Sequence, residues 1–425
     1  MRNIFKTVLA VLLIAGLSLG LYSNGLNLNG IGTRAISMGG AFIGVSSDYS
    51  AVFWNPAGLT QLDKSSLSIF SSFIIPTGTY TYSPAGIDIE TEKKTFPTPA
   101  FAYINPISEK LTIGFAAYAT AGAGATWPGD KLAVFNTYAK KGDLTAYKWS
   151  SKVGAFTFSP IVSYKLSDTF SIGATLNVVY GLLDMEKEAG GQYTESLNGT
   201  GFGATIGAMF KPSDKFSFGI TYKTPQKVKL TGTVEMPGLA AIPGMPTSSN
   251  ATREVTWPMW LGAGIAFTPN DKLTIAFDVQ YTNWKKLDTI DMTFDEAFWK
   301  VNMGSGSIED NAAFELMWDD TIQYRFGFEY LLSDSFAVRA GYYYDPAPAP
   351  ATTLNILLPS ITYSVITAGI GYKTDSISLD VGVEYLKGTD RDADMAGVMA
   401  GTAMPGTHGM SMIVPSVSFT YRFNK

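Results

Sequence analysis

The sequence contains no cysteine and only one histidine, His408, among 425 residues. The absence of cysteine excludes a thiol nucleophile, a cysteine-based zinc site and a disulfide scaffold. His408 lies in a Pro/Gly-containing segment, and no P-loop, zinc-binding spacing or nucleophile elbow accompanies it. A lone solvated histidine is a poor basis for acid–base catalysis. We therefore predict no enzyme activity, no catalytic residue and no cofactor.

Charged residues and long apolar runs are also scarce. Charged residues make up 16% of the chain, aromatic residues 13% and hydrophobic residues 46%, as expected of a protein with lipid on one side and water on the other. Beyond the N-terminus there is no apolar run of about 18 residues, the length that a spanning helix needs. Asp319 with Asp320, and Asp390 with Asp392, supply fewer oxygens than calcium requires, so no metal site is predicted.

Residues 1–23 are predicted to be a signal peptide. Arg2 and Lys6 precede an apolar stretch that is too short and wrongly flanked for a permanent anchor. Cleavage after Gly20 or Ser23 would place small residues at the scissile bond, and we prefer Ser23. Removing both cations takes the formal net charge from −5 to −7, which argues against nucleic acid as a partner.

Most of the remaining chain alternates between apolar and polar residues. Segment 321–330 (TIQYRFGFEY) places aliphatic and aromatic side chains on one face, and Arg325 and Glu329 on the other. Segments 273–281 and 377–385 repeat the pattern. A soluble sandwich also alternates, but many strands with aromatic faces opposite charged ones favour a barrel with a polar lumen.

Turn signals indicate the topology. Short turns, in which Ser, Asn or Asp precedes a strand that starts on Phe, Leu or Ile, occur at 107–114, 166–173, 212–219, 269–276, 332–339 and 373–380. Longer loops are predicted at 76–95, 122–149, 186–197, 235–251, 292–316, 346–359 and 388–409. Six turns and seven loops require fourteen strands. The last, at 416–423, must pair with the first, because unpaired backbone groups are costly in hydrocarbon. We predict an all-β fold, a 14-stranded antiparallel transmembrane β-barrel over residues 63–425.

Residues 24–62 resemble neither the leader nor the strands. They are too rich in glycine for an independent helix and too unpatterned for a strand. Proline at 56 holds Asn55 in an extended conformation. Such a segment cannot form its own core, so we expect it to become ordered only where the barrel encloses it. A Gly-rich linker between leader and barrel is the alternative.

Four short motifs in this segment resemble the FadL/TodX family of outer-membrane channels. They are Arg34-Ala35, Met38-Gly39-Gly40-Ala41, Asp48-Tyr49-Ser50-Ala51 and Asn55-Pro56-Ala57-Gly58-Leu59. The resemblance implies a 14-stranded barrel in the bacterial outer membrane and an N-terminal hatch over residues 24–62. Its implied hatch and gating residues are Gly25, Leu26, Arg34, Gly39, Gly40, Asn55, Pro56, Ala57 and Gly58.

The resemblance also implies a lateral exit. Members of the family release substrate sideways through a gap at a kinked third strand, which here corresponds to residues 111–130. Gly114, Gly122, Gly124 and Pro128 are the candidate positions for this opening, because Gly and Pro weaken ladder pairing and permit a bulge. An ordinary Gly-rich loop start is the alternative.

Three lumen cations could orient a carboxylate head group. Arg325 and Arg339 fall on the polar faces of neighbouring strands, and Lys223 does so elsewhere. The alternative is that these cations pair with lumen carboxylates in a charge network. A fatty acid would need an unpaired cation, whereas an uncharged aromatic substrate would not.

Apolar side chains in the predicted outer loops suggest a capture surface. Met236, Leu239, Ile242 and Met245 lie in one loop, and the run 346–359 is similarly apolar. Exposed apolar loops are costly unless they pack together or bind something. The resemblance implies a landing groove for hydrophobic substrate; the alternative is a lid over the barrel mouth.

We predict passive transport of hydrophobic molecules, foremost long-chain fatty acids, with aromatic hydrocarbons as the alternative. A structural or adhesive barrel is the alternative of a different class, and the Gly-rich plug disfavours a general porin. The expected partners are a hydrophobic small molecule, outer-membrane lipid, lipopolysaccharide and the barrel-assembly machinery during biogenesis, and no nucleic acid is expected.

Overall fold

The wall of the molecule is a closed antiparallel β-barrel. The structure is a computed structural model that describes residues 25, 27–136, 145–302, 313–393 and 404–423. Its strands are β1 (Ser66–Tyr82), β2 (Ile87–Glu90), β3 (Phe96–Pro106), β4 (Leu111–Trp127), β5 (Trp149–Lys165), β6 (Phe170–Glu188), β7 (Gln192–Ser213), β8 (Phe216–Lys223), β9 (Gln226–Glu235), β10 (Ser248–Trp257), β11 (Trp260–Asn270), β12 (Leu273–Thr282), β13 (Thr289–Ile290), β14 (Met292–Phe294), β15 (Phe314–Glu315), β16 (Thr321–Leu331), β17 (Phe336–Asp345), β18 (Thr362–Lys373), β19 (Ile377–Thr389), β20 (Arg391–Ala393) and β21 (Gly406–Arg422).

The barrel has fourteen strands, because five of them are interrupted and each appears above as two segments. Strands β2 and β3, β8 and β9, β10 and β11, β12 and β14, and β19 and β20 each continue one another, while β13 and β15 form a separate two-stranded sheet. β21 pairs with β19 and also with β1, in a register that runs from Ser66↔Arg422 to Thr81↔Thr407. The sheet therefore closes on itself, which confirms the predicted pairing of the last strand with the first.

Helical segments are short. They comprise α1 (Thr33–Ser37), α2 (Ala51–Trp54), α3 (Ala297–Asn302) and the 3₁₀ turns Pro56–Gln61, Ser83–Ala85, Ala133–Phe135, Pro237–Ala241, Trp284–Lys286 and Ala351–Thr353. In the part of the chain that the structure describes, every helix is too short or too polar to cross a membrane.

All six predicted short turns connect neighbouring strands at one end of the barrel. Three of them show the reason for the sequence signature. The hydroxyl of Ser108 accepts from the backbone N–H of Leu111 at 3.1 Å, and the side chain of Asn270 accepts from a backbone N–H three residues on at 3.1 Å. Ser333 makes the same bond at 3.2 Å. Such side chain–backbone bonds fix a tight turn immediately before a strand.

Two predicted loops prove to be largely strand. β6 runs to Glu188 and β7 begins at Gln192, and these two residues pair across a tight hairpin. The loop predicted at 186–197 is therefore wrong. The loop predicted at 76–95 is wrong over 76–82 and 87–90, because these residues belong to β1 and β2. Buried side chains recur at every second position along much of this stretch, as in β7 at Tyr193, Glu195 and Leu197, so the pleat continues past the apolar band.

The predicted inward and outward faces are confirmed. In β16 the aromatic and aliphatic side chains are exposed on the outer surface, whereas Arg325 and Glu329 are buried inside. The interior holds two apolar clusters. One lies towards the short turns and includes many residues of segment 27–62. The other lies towards the long loops and includes Leu354, Ile356 and Leu357.

Candidate functional site

Residues 27–62, called the hatch segment below, pack inside the barrel near the short turns. Ile31, Phe42 and Trp54 are buried there, together with side chains of the barrel wall. The indole N–H of Trp54 donates to the carbonyl of Ile31 at 3.0 Å. The segment therefore folds against itself and the wall together, which fits the expectation that it needs an enclosure.

Asn55 joins two parts of the hatch segment to the wall. Its side-chain amide donates to the carbonyls of Ile43 (3.1 Å) and Ala208 (3.0 Å), and its side-chain oxygen accepts from the N–H of Ala57 at 3.2 Å. The backbone is extended, as expected for a residue that precedes proline. Asn55 thus satisfies three buried backbone groups at once.

The residues after Asn55 approach the wall through their backbone. The carbonyl of Pro56 accepts from the hydroxyl of Ser163 at 2.6 Å, and the carbonyl of Ala57 accepts from Ser171 at 3.1 Å. A Cβ atom at Gly58 would lie 2.1 Å from a backbone oxygen of the hatch segment itself. Close backbone approach therefore explains the small residues of this motif.

Gly39 and Gly40 provide a second close approach. Both have positive φ, +65° and +69°, a backbone conformation that residues other than glycine rarely adopt. A Cβ at Gly39 would lie 2.7 Å from the carbonyl oxygen of Phe326, and one at Gly40 would lie 2.5 Å from a guanidinium nitrogen of Arg325. Gly25 also has positive φ and lies against Trp284. Leu26, the remaining predicted gating residue, lies outside the described residues.

A charge network anchors the hatch segment near the short turns. Arg34 binds the carboxylate of Glu329 through two nitrogens, each at 2.7 Å. Glu329 also accepts from Arg339 at 2.6 Å, and Arg339 donates to Asp380 at 2.7 Å. Burial opposes the charge on Arg34, but the carboxylate of Glu329 outweighs it and raises the pKa of Arg34 above its usual value. The pairs connect the segment to three barrel strands.

The front of the hatch segment contacts an irregularity in β4. The pairing of β4 with β5 shifts register between Ala119 and Ala121, so Thr120 is an extra residue in a bulge. The N–H of Leu28 donates to the carbonyl of Thr120 at 3.2 Å, and Asn27 bridges to Ala121. The first residues of the hatch segment therefore bond to the wall at a bulge.

A gap in the ladder opens next to this bulge. β3 pairs with β4 only between Ala100↔Tyr118 and Pro106↔Thr112, although β3 extends to Phe96 and β4 extends further towards the loops. Pro97 and Pro99 lie in this stretch of β3 and have no N–H to donate.

The four predicted opening positions lie at different places relative to the gap. Gly114 has regular partners on both sides. Gly122 and Gly124 lie beyond the bulge and pair with β5, and Pro128 follows the end of β4. Sequence reasoning missed Thr120 and the two prolines of β3. The Pro-x-Pro spacing was the available signal.

The three lumen cations have different environments. Arg339 belongs to the charge network described above. Arg325 donates to the carbonyl of Gly39 (3.1 Å) and to the side chain of Gln323 (2.8 Å), and its guanidinium lies over the Tyr343 ring at 4.6 Å. The network alternative thus holds for Arg339, while Arg325 is held by neutral groups.

Lys223 is buried without an acidic partner. Its Nζ lies 4.1 Å from the ring centroid of Phe53 and 5.3 Å from that of Trp260. It forms no hydrogen bond or ion pair with any residue that the structure describes. Lys223 and Arg325 line one cavity of about 30 Å³ with Asn29 and Asp345. Two cations thus converge where the hatch segment begins.

The cavities beside the hatch segment are too small for a lipid. The one at Lys223 measures about 30 Å³, and a second, beside Leu28 and Tyr343, measures about 20 Å³. Each has room for about one water molecule. A larger cavity of about 280 Å³ lies near the short turns and is lined by charged residues, among them Arg34 and Asp380. A bulky ligand that binds between the hatch segment and the wall at Lys223 or Tyr343 must therefore displace part of the chain.

The predicted capture residues separate into two groups. Met236 is buried and Leu239 packs partly against the same outer cluster, so neither is the fully exposed side chain expected from the sequence. The strand before them ends, and the N–H of Met236 bonds back across the loop to the carbonyl of Thr247 at 2.8 Å, which turns the side chain inwards. Ile242 and Met245 are 49% and 36% exposed and stay available.

His408 is buried rather than solvated. Its Nε2 lies 2.8 Å from the carbonyl oxygen of Met404, and its ring packs on Tyr80 at 4.9 Å. Within the described ranges, acidic and histidine side chains do not gather into a group of three or more that could hold a metal ion.

Replacing Asn55 by alanine should loosen the hatch segment. The carbonyls of Ile43 and Ala208 would lose their donor, and an unsatisfied buried polar group costs about 1–3 kcal/mol. Hydrogen exchange of backbone amides in residues 42–58 should therefore accelerate about 5- to 150-fold. Thr60→Ala is the matched control, because it removes a single bond at a partly exposed position. Unchanged exchange in Asn55→Ala would contradict the anchoring role.

Comparison with known proteins is consistent with this geometry. A long-chain fatty acid transport protein of Escherichia coli K12 is 24% identical over 441 aligned positions, which cover 90% of this chain and 92% of that protein. A Pseudomonas aeruginosa FadL homologue superposes with a TM-score of 0.75 at 18% identity, covering 94% of this chain and all of that one. The Pseudomonas putida toluene transporter TodX gives a TM-score of 0.73 at 16% identity with the same coverage. These solved structures share the barrel fold.

The family assignment rests on nearly the whole chain. Residues 12–423 match the model of the outer membrane protein transport protein family (OMPP1/FadL/TodX). The resemblance noted from the glycine-rich motifs is confirmed, as is the predicted outer-membrane location. The chain belongs to the OMPP1/FadL/TodX family of outer-membrane proteins that transport hydrophobic compounds.

Proposed function

We propose that this protein is a passive channel for long-chain fatty acids. The observation that carries the proposal is Lys223, a buried ammonium that lies between two aromatic rings and lines one cavity with Arg325. Burial disfavours the charged form of a lysine whose amino group contacts no acidic side chain, and the carboxylate of a ligand would stabilise that charge. The chain of such a ligand would lie among the apolar side chains of the lumen.

An aromatic hydrocarbon channel is the second candidate. The cavity at Lys223 is also lined by Trp257, Trp260 and Trp284, and aromatic walls suit flat, uncharged rings. The structural likeness to a toluene transporter supports the same substrate class. An uncharged substrate would leave the Lys223 ammonium without a partner, so we place it second.

Capture would begin at the outer loops. Ile242 and Met245 offer exposed apolar side chains there. Lipopolysaccharide slows direct partitioning of hydrophobic molecules, and an apolar route past that layer would remove the barrier. We also propose lipopolysaccharide and outer-membrane lipid as neighbours of the barrel, and the barrel-assembly machinery as its partner during biogenesis.

Release would run sideways through the wall. Between β3 and β4 the ladder is unpaired from Ala100↔Tyr118 outwards until the N–H of Glu92 donates to the carbonyl of Thr126 at 2.9 Å. The first residues of the hatch segment bond to β4 at the adjoining bulge. We propose that this stretch, rather than the glycines alone, is the lateral opening. In this proposal residues 1–23 are the removed leader, residues 24–62 are the hatch and residues 63–425 form the barrel.

Deleting Thr120 should block release while leaving the barrel folded. Thr120 is the extra residue of the bulge, so its removal would give β4 and β5 one continuous register. Fatty acid uptake should fall at least about tenfold, the effect of about 1.4 kcal/mol on the release barrier, while fatty acid binding to the purified protein is retained. Thr120→Ala keeps the chain length and should transport normally. Equal uptake by the deletion variant and the wild type would remove the lateral step from the proposal.

Cells with and without the protein provide the test of function. Labelled oleate and labelled toluene should be offered separately to a bacterial strain that lacks its own outer-membrane channel for hydrophobic compounds. We expect the protein to accelerate oleate uptake more than toluene uptake. A preference for toluene would favour the second candidate. No acceleration of either, with folded protein in the outer membrane, would favour a structural or adhesive barrel.

A further inference from the structure

A long loop packs into the outer half of the lumen. Residues 346–361 connect β17 to β18, contain four prolines and carry no charged residue. Residues 354–358 form the loop tip, and its four aliphatic side chains, from Leu354 to Leu358, are at most 4% exposed. They belong to the same apolar cluster as the wall residues Val153, Leu183 and Val365.

The tip has its own local structure. The side-chain oxygen of Asn355 accepts from the N–H of Leu357 at 3.0 Å and from the N–H of Leu358 at 2.6 Å. This Asx-type turn reverses the chain and directs consecutive apolar residues into the lumen. The tip is therefore a compact unit whose side chains are mostly aliphatic, like an alkyl chain.

Few polar bonds connect the tip to the far wall. The indole N–H of Trp127 in β4 donates to the carbonyl of Ile356 at 2.9 Å, and the hydroxyl of Ser151 in β5 donates to the carbonyl of Leu357 at 2.5 Å. Both are bonds between neutral groups, which are weak in net terms because water can replace them. Apolar packing is the main force that keeps the tip inside.

We propose that the loop tip occupies the site that the aliphatic chain of a substrate takes in the outer lumen, and that substrate enters by exchanging with it. The inference rests on the proposed transport function and adds that the loop tip competes with substrate for the outer lumen. An exchange of one apolar occupant for another keeps the wall covered, whereas withdrawal of the tip alone would expose apolar surface to water. The tip therefore leaves when a chain arrives.

The exchange would also reach the lateral opening. Trp127 ends β4, seven residues beyond the bulge at Thr120, and Ser151 lies on its neighbour β5. When the tip leaves, the bond that holds the outer end of β4 across the lumen is lost. Binding of a substrate chain in the outer lumen would therefore also loosen β4, the third strand of the barrel.

Site-specific labelling can follow the exchange because the natural chain has no cysteine. The variant Leu357→Cys, reconstituted in lipid vesicles, would be treated with a charged, membrane-impermeant maleimide with and without dodecan-1-ol. We expect slow labelling alone and at least tenfold faster labelling with the alcohol. Ile242→Cys is the control for an exposed loop position and should label quickly in both cases.

Two further variants test whether a change in labelling reflects movement of the whole tip rather than an effect of the cysteine at position 357. Leu354→Cys reports on a second tip position if Leu357→Cys does not give a folded, heat-modifiable barrel. Trp127→Phe keeps an aromatic ring but removes the indole N–H donor, so it should accelerate labelling of Leu357→Cys even without the alcohol. A labelling rate at both tip positions that dodecan-1-ol leaves unchanged would overturn the exchange.

Uptake measured on the same vesicles separates the two proposals. Faster tip labelling without any transport of fatty acid would contradict the channel and leave the exchange standing. Normal transport with constant tip labelling would overturn the exchange and leave the channel standing. Neither effect in folded protein would overturn both.

Discussion

Replacing Glu329 with glutamine should release the hatch segment and make the barrel conduct ions. The neutral side chain would leave both Arg34 and Arg339 without their shared carboxylate. Removing one partner of a largely buried ion pair typically costs about 3–5 kcal/mol. We expect the population of the undocked state to rise by at least about two orders of magnitude. The reason is that Arg34–Glu329 is the ion pair that joins the hatch segment to β16 among the described residues, and the remaining charged contacts there, such as Arg325 with the Gly39 carbonyl, have a neutral partner.

Single-channel recording in planar bilayers measures this effect. The wild type should be nearly silent, because its lumen is filled, and Glu329→Gln should show frequent openings. Glu254→Gln is the matched control, since Glu254 pairs with Lys227 at 2.6 Å but both side chains are more than half exposed, and exposed pairs contribute little. A silent Glu329→Gln barrel with native strand content would contradict an ionic anchor for the hatch.

Replacing Lys223 with methionine should weaken binding of a fatty acid selectively. Methionine keeps most of the stem that packs against Phe53 and Trp260 but cannot donate to a carboxylate. A hydrogen bond to a charged group is worth about 1.5–3 kcal/mol. The dissociation constant for oleate should therefore rise about 10- to 150-fold.

The alcohol of the same chain length separates the head group from the chain. Oleyl alcohol should bind Lys223→Met and the wild type equally, as measured by calorimetry or tryptophan fluorescence. Lys229→Met, at an exposed position six residues away, should change neither ligand. Equal losses for acid and alcohol would mean that Lys223 acts only through packing, and no loss for either would favour the uncharged aromatic substrate.

Period-two alternation predicted most of the fold. Because successive side chains of a strand point to opposite faces, the alternation alone was enough to place Arg325 and Glu329 inside the barrel. The turn signature worked because Ser and Asn side chains bond to the backbone that follows them. Both rules depend on residues that are close in sequence.

Contacts between distant parts of the chain lay beyond the same reasoning. Thr120 is ordinary in sequence, and its bulge lies where the front of the hatch segment, distant along the chain, bonds to β4. The partners of Arg34 and Lys223 depend on how the hatch segment crosses the lumen, which periodicity does not determine. Met236 was misplaced for a related reason: an apolar residue just after a strand can turn inwards as readily as outwards.

The loop at 346–361 shows where composition was informative and where it was ambiguous. Its apolar, charge-free sequence predicted either a capture surface or a lid. Burial of the tip among lumen residues agrees with the lid, while Ile242 and Met245 in another loop stay exposed. Composition indicated that these side chains needed an apolar environment, but not whether substrate or the protein's own wall supplied it.

A density map of the protein with bound oleate is the most direct measurement of the central claim, that a long-chain carboxylate passes through the barrel interior. The proposal predicts an aliphatic chain inside the barrel, with its carboxylate within hydrogen-bond distance of Lys223 and Arg325 and the loop tip moved from its place. Oleate bound only to the outer surface, with the tip and hatch segment unmoved at saturating ligand, would contradict it.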